Sequence, residues 1–176
     1  MFDFLRVLIS FFEQQNISYM LSGSVAMSLY TQPRFTRDYD FVVNLKPEHI
    51  NGLLKHFKEG YYINDESVKE AIRKKSMFNI IDHKSGYKAD FVILNDEPFR
   101  QTEFHRQKKM KFLDMLITVV SAEDLLLSKI IWIQEIQSGV QMEDIKLLSG
   151  VEGLDWSYIN SWIKELKLKT FNLLPG

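Results

Sequence analysis

Apolar residues recur at three- and four-residue steps through the first fifteen positions, with Phe4, Leu5, Leu8, Ile9 and Phe12 on one side. That spacing predicts an amphipathic helix over 3–15. The pattern then shortens. Residues 17–21 predict a strand, Ser22-Gly23-Ser24 is a tight polar break, and residues 25–30 predict a second helix. Gln32-Pro33-Arg34 ends it, because proline cannot continue a helix. Residues 38–45 read as a strand, and Pro47 suits the first position of a helix reaching residue 58, with Gly60 as its stop.

The middle of the chain predicts a strand at 61–63, a helix at 66–74, a strand at 76–82, a turn at 83–86 and a returning strand at 87–94. Residues 98–109 are polar and follow no single period, and 110–120 hold one or two strands. Ser121-Ala122-Glu123-Asp124 resembles a capping box, opening a helix to about residue 137. Helices near 141–148 and 155–167 follow, the second capped by Asp155. The order predicts an α/β fold with a mixed β-sheet over 1–120 and a C-terminal helical extension over 121–176, either packed on the core or part of one domain.

Composition narrows the function classes. With 45% hydrophobic residues and 13 Phe among 176, the chain can build a real core, which excludes global disorder. Acids exceed bases by only 23 to 22, so net charge gives no nucleic-acid coat or polybasic anchor. A local cluster of Arg106, Lys108, Lys109 and Lys111 is either a contact for RNA or triphosphate or a solvated edge. The absence of cysteine excludes disulfides, thiolate zinc sites and a cysteine nucleophile. His49, His56, His83 and His105 show no zinc spacing. No apolar run approaches the ~18 residues of a membrane span, and Asp3 sits where a signal peptide wants positive charge. A soluble, cytoplasmic protein without a membrane partner is expected.

The chemistry gathers in residues 21–43. Asp38 and Asp40 flank Tyr39 in a segment that otherwise favours a strand, where aspartate is depleted. Residues two apart share a strand face, so both carboxylates point one way while Tyr39, Phe41 and Val43 point the other. Like charges so close repel unless a cation lies between them, and oxygen ligands of this kind suit Mg2+ or Mn2+. A lone pair of this kind is more often a strand end dipping into solvent. Here, however, Gly23-Ser24 lies between a strand and a helix, where free backbone N–H groups and the helix dipole favour a phosphate, unless it is a simple turn and cap. Asp90 interrupts a third β pattern, with Ala89, Phe91 and Ile93 on its opposite face. A strand beside 38–43 would put Asp90 next to the first pair. Three carboxylates and a phosphate-gripping turn are the equipment of two-metal phosphoryl transfer.

Lys129 stands out on physical grounds. At about 100° per residue it falls among Ala122, Leu125, Leu126, Ile133 and Ile136 on an apolar helix face. A lysine there needs a partner: a triphosphate, a site aspartate, or a structural acid such as Asp144.

Gly23-Ser24, thirteen further residues, Asp38-Tyr39-Asp40 and a later strand aspartate resemble the nucleotidyltransferase superfamily with the DNA-polymerase-β-like fold. Arg34-x-Thr36-x-Asp38-x-Asp40 is similar to the small bacterial group that includes AbiEii-type toxins. The likeness continues in Phe78-Asn79-Ile80, Gly86-Tyr87-Lys88-Ala89-Asp90 and Ser121-Ala122-Glu123-Asp124-Leu125 with Lys129. It implies a metal-dependent enzyme that moves a nucleoside monophosphate from an NTP, ATP among the options, to a hydroxyl of RNA, protein or a small molecule. It also implies a setting in toxin–antitoxin or phage-defence systems, with tRNA or protein as acceptor and a cognate antitoxin as partner. By the same resemblance, Gly23, Ser24, Arg34, Thr36 and Lys129 bind nucleotide. Asp38, Asp40 and Asp90 hold Mg2+ or Mn2+ and act in catalysis, with Asp90 as base. The group's Lys-Asp-x-x-Asp element departs here to Gln141-Met142-Glu143-Asp144, which touches the toxin-type activity more than the fold. The alternative is a catalytically weak or inactive module of the same fold that binds nucleotide or a protein partner.

Overall fold

The computed structural model describes residues 2–175. Helix α1 (Asp3–Gln14) leads into β1 (Tyr19–Ser22), α2 (Gly23–Met27) and β2 (Asp38–Val43). A 3-10 turn at Pro47–His49 precedes α3 (Ile50–His56), β3 (Tyr61–Ile63), α4 (Asp65–Lys74), β4 (Met77–Asp82) and β5 (Lys88–Ile93). Then come α5 (Pro98–His105), the β6 (Lys108–Phe112)–β7 (Met115–Val119) hairpin, α6 (Ala122–Trp132), α7 (Gly139–Ser149) and α8 (Trp156–Glu165). The strands form one sheet in the order β3-β4-β5-β2-β1-β7-β6, mixed because β2 runs parallel to β5 and β1 parallel to β7.

Strand parity divides the sheet into two faces. Tyr39, Phe41 and Val43 on β2 and Ala89, Phe91 and Ile93 on β5 are buried. They meet the apolar stripe of α1, whose Phe4, Leu5, Leu8, Phe11 and Phe12 are buried in turn. The rings interlock: Phe41 stacks on Phe91 at 5.7 Å, Phe78 on Phe91 at 4.9 Å, and Phe12 meets Phe41 edge-on at 5.5 Å. Each fully buried Phe side chain contributes about 1.5–3 kcal/mol of transfer free energy. The other face carries Asp38, Asp40 and Val42 and, beside them, Lys88, Asp90 and Val92.

Several boundaries differ from expectation, each for a local reason. Helix α2 stops at Met27, and residues 28–30 tighten into a turn, with Leu29 and Tyr30 N–H bonded three residues back. Tyr30 then donates from its hydroxyl to the Val120 carbonyl at 2.7 Å. Helix α6 ends at Trp132, not near 137, because Gln134 turns back: its amide donates to the carbonyls of Ile130 and Lys169. The ambiguous segment 98–109 resolves into α5, started by Pro98, and the beginning of β6. Lys108, Lys109 and Lys111 are exposed on β6, an edge strand, where lysines discourage pairing with another chain. Arg106 instead turns inward.

Arg106 joins the network that holds the C-terminal helices to the sheet. Asp124, fully buried, accepts from Arg106 Nε at 3.0 Å, from the Ser121 hydroxyl and from the Tyr158 hydroxyl. The guanidinium of Arg106 also lies 3.9 Å over the Tyr158 ring. Burial and the Asp124 carboxylate push the Tyr158 phenol far above its ordinary value. Asp124→Ala would leave Arg106 and Tyr158 without their acceptor. It is expected to cost about 3 kcal/mol, a fall in melting temperature of roughly 6–12 °C. A shift below about 2 °C in thermal denaturation would show that the network is not structural.

Candidate functional site

The site begins with backbone register. In the parallel β2–β5 pair Asp40 lies opposite Asp90 and Asp38 opposite Lys88, while in the antiparallel β1–β2 pair Ser22 lies opposite Asp40. Paired residues share a face, so Asp38, Asp40 and Asp90 lie on one side of the sheet with Ser22 and Lys88. Asp38 is half-exposed, whereas the Asp90 side chain is 14% exposed. Burial, then the neighbouring charges of Asp90 and Asp38, raise the Asp40 carboxyl above its ordinary range, with Lys129 and Lys88 opposing. Lys88 places its ammonium 2.7 Å from Asp90 Oδ2 and 3.7 Å from Asp38 Oδ1, and the hydrogen bond to Asp90 raises its own pKa.

Gly23 is forced by Asp40. Its φ is +63°, and a Cβ there would stand 1.9 Å from Asp40 Oδ2, so only glycine lets the β1–α2 turn lie against the carboxylate. The Ser24 hydroxyl accepts from the Arg34 guanidinium, which also reaches Asp144 at 3.2 Å. Lys129 is buried and donates to Asp144 Oδ2 at 2.8 Å and to Gln141 Oε1 at 3.0 Å. Of its possible partners it engages the structural acid, and Gln141 is its second acceptor. Thr36 caps the start of β2, accepting from the Asp38 N–H at 3.2 Å.

A cleft of about 350 Å³ opens beside Asp40, the Gly23–Ser24 turn and Lys129. Ser22, Gly23, Ser24 and Asp40 form one end, Val42 and Val92 the floor, and Leu125, Ser128, Lys129 and Trp132 of α6 the wall, with Gln141 beside them. Arg100 and Glu103 of α5 close the far end. Glu103 is 1% exposed; it accepts from Arg100 at 2.9 Å and from the Ser128 hydroxyl, and burial raises its pKa. Trp132 is 59% exposed at the cleft, whereas Trp162 packs edge-on to Phe99. Of the expected site residues Gly23, Ser24, Asp40 and Lys129 line the cleft, whereas Arg34, Thr36, Asp38 and Asp90 do not.

The residues present fit a hard divalent cation in part. Asp90 Oδ1 is buried without a hydrogen-bond partner, and Asp40 makes no ion pair or side-chain hydrogen bond among the described residues. Two adjacent carboxylates with free oxygens suit Mg2+ or Mn2+. Yet no three acidic or histidine side chains among the described residues are closed around one point, because Lys88 occupies the space between Asp38 and Asp90. Sequence reasoning quoted Lys88 but assigned it nothing. The signal was available, since a lysine two residues before Asp90 shares its strand face. Arg100 and Glu103, by contrast, carried no pattern that points to a cleft.

No protein-family model matches the chain, and no curated protein matches it. Solved structures do. The solution structure of the antibiotic-resistance factor ANT(2'')-Ia superposes with a TM-score of 0.65 at 11% identity, covering 93% of this chain and 89% of that one. The lincosamide antibiotic adenylyltransferase LnuA, lincomycin-bound, gives 0.55 at 18% identity over 83% and 94% of the two chains. An antigenic nucleotidyltransferase-like protein from Paracoccidioides brasiliensis gives 0.55 at 16% identity over 91% and 84%. The likeness is one of fold, and the chain has a nucleotidyltransferase fold. Among the described residues no helix is long and apolar enough to cross a membrane.

Two substitutions test this geometry. Gly23→Ala pays both the positive φ and the collision with Asp40, and is expected to cost about 2–3 kcal/mol. Gly86→Ala, at φ +69° with open space around it, is expected to cost only about 1 kcal/mol. Equal losses in denaturant titrations would show that Asp40 does not confine the turn. Lys129→Met leaves buried Asp144 with Arg34 alone and is expected to lose about 3 kcal/mol. Adding Asp144→Leu should recover most of that loss, since the stranded charge leaves as well. A double variant as unstable as the single one would exclude the ion pair as the cause.

Proposed function

We propose that the protein is a metal-dependent nucleotidyltransferase that transfers a nucleoside monophosphate from an NTP to a hydroxyl of a small molecule. The observation that carries this reading is the Asp40–Asp90 pair, in register on parallel strands, facing a glycine turn that only Gly23 can form. In this reading the Gly23–Ser24 turn, with Arg34 and Lys129 nearby, receives the triphosphate. Asp38, Asp40 and Asp90 hold Mg2+ or Mn2+, which when bound neutralises phosphate charge and lowers the pKa of a coordinated hydroxyl. Asp90 takes the acceptor's proton as the new O–P bond forms at the α-phosphorus. The bond to the β-phosphate oxygen breaks, and pyrophosphate leaves.

A small acceptor is favoured over RNA by placement. The exposed lysines of β6 lie three strands from β2, so no basic track leads from them to the acids. The cleft floor of Val42 and Val92, flanked by exposed Trp132, suits an apolar molecule. Relatives in fold that are antibiotic adenylyltransferases point the same way and make ATP the first donor to test. The AbiEii-type reading, with a cognate antitoxin and a tRNA or protein acceptor, rests on the Arg34-to-Asp40 spacing, and Gln141 in place of an acid weighs against it. One observation favours a weakly active nucleotide-binding module instead: Lys88 already neutralises Asp38 and Asp90.

NTP is expected to raise the melting temperature more with Mg2+ present than without it, and Asp40→Asn should remove the metal-dependent part. Labelled NTP supplied with a pool of hydroxyl compounds should then yield a labelled adduct and pyrophosphate from the wild type only. Metal-dependent binding with no adduct would move the reading to the inactive module. An NTP response unchanged in Asp40→Asn would remove the acids from the site.

A further inference from the structure

The position of Lys88 is set by the strand, not by a flexible surface. It lies opposite Asp38 in the parallel ladder and two residues before Asp90, so its stem rises from the same face as both acids. Its ammonium reaches one oxygen of each, Asp90 Oδ2 and Asp38 Oδ1, and leaves Asp90 Oδ1 and the whole Asp40 carboxylate without a partner. The three acids are thereby divided. One group is already neutralised by a cation built into the chain; the other is half-buried, crowded and free.

We propose that Lys88 is a tethered cation standing in one of the two cation positions of the acid site, so that a single divalent ion, held by Asp40 and Asp90 Oδ1, completes it. This rests on the metal-dependent reading above and specifies how many ions it takes. Charge supports the count: one divalent ion together with one ammonium balances three carboxylates. A second divalent ion would have to enter against the ammonium at contact distance, with Asp90 Oδ2 already engaged. An ordinary exposed ion pair would exchange its partner for water, and would then leave room for two ions.

Manganese serves as the probe, because its free ion can be counted by electron paramagnetic resonance. The full chain, with one equivalent of a non-hydrolysable ATP analogue, is titrated with Mn2+ against a nucleotide-only blank. The wild type should bind one ion per chain, and Lys88→Arg, which keeps a cation, should also bind one. Lys88→Met should bind two. Its melting temperature should fall below wild type without Mn2+ and gain more than wild type when Mn2+ is added. Lys88→Gln is a second neutral variant, keeping a donor to Asp90 should the methionine variant fold poorly, and it too should bind two. Two ions in the wild type, or one ion in both neutral variants, would overturn the proposal. No ion above the blank in the wild type would overturn the metal-dependent reading itself, a result distinct from either of those.

Discussion

Two strands running the same way in register leave their side chains no choice of neighbour, and in this protein that constraint falls on a pair of aspartates. Asp40 and Asp90 are placed side by side by the β2–β5 ladder, on a face that is largely withdrawn from water. Two like charges cannot rest there unaided, and the surrounding residues are arranged around that fact. Gly23 gives up a side chain so that the turn can lie on Asp40. Lys88 brings an ammonium up from the next position on the same face. The Asp40 carboxyl, left without a partner, holds its proton more tightly than an ordinary aspartate.

Such a strained arrangement persists because the reverse side of the same strands is rigid. Phe41 and Phe91, each adjacent in sequence to one of the acids, are stacked on one another, and Phe12 of α1 touches both. A shift of β2 against β5 by one residue would turn the aspartates into the aromatic core and the rings into the cleft. Apolar burial of several rings, at about 1.5–3 kcal/mol each, is large enough to hold two adjacent carboxylates in place. The acids are thus carried on strands and not on a loop, which fixes their separation closely.

Much of this was legible in the sequence, and the reasons differ residue by residue. The strand parity of Asp38, Asp40 and Asp90 is a local property, so alternation alone placed all three on one face. The adjacency of β2 and β5 is not local, and it came through resemblance to known sequences. Lys88 obeys the same parity but was given no role, because attention to acids hides the base between them. Lys129 needed a partner fifteen residues on, and periodicity could say that one existed but not choose between Asp144 and a ligand. The cleft-side placement of α5 escaped for a related reason: exposure at a cleft depends on which elements leave a gap, and no window of sequence records a gap. Arg106 shows the opposite error, since a run of basic residues conceals the one member that turns inward onto Asp124.

The charges that remain are sorted across the cleft. The acids stand on the sheet, while Lys129 and Arg100 stand on the helical side, with Arg34 tied to the Gly23–Ser24 turn through Ser24. Behind these cations lie two more carboxylates, both buried: Asp144 beneath Lys129 and Arg34, and Glu103 beneath Arg100. A buried ion pair is a weak source of stability, because desolvating both partners offsets much of their attraction. Its firmer consequence is geometric. Arg100, which lines the cleft, is fixed through one nitrogen by Glu103 and Ser128. The same device appears twice, a buried acid holding a cation at the cleft, and it leaves the cleft polarised, with the Asp40 carboxylate on its sheet side and positive charge along its helical wall. A triphosphate with its metal requires both signs within one molecule's reach, and this fold presents them on opposite sides of a single cleft.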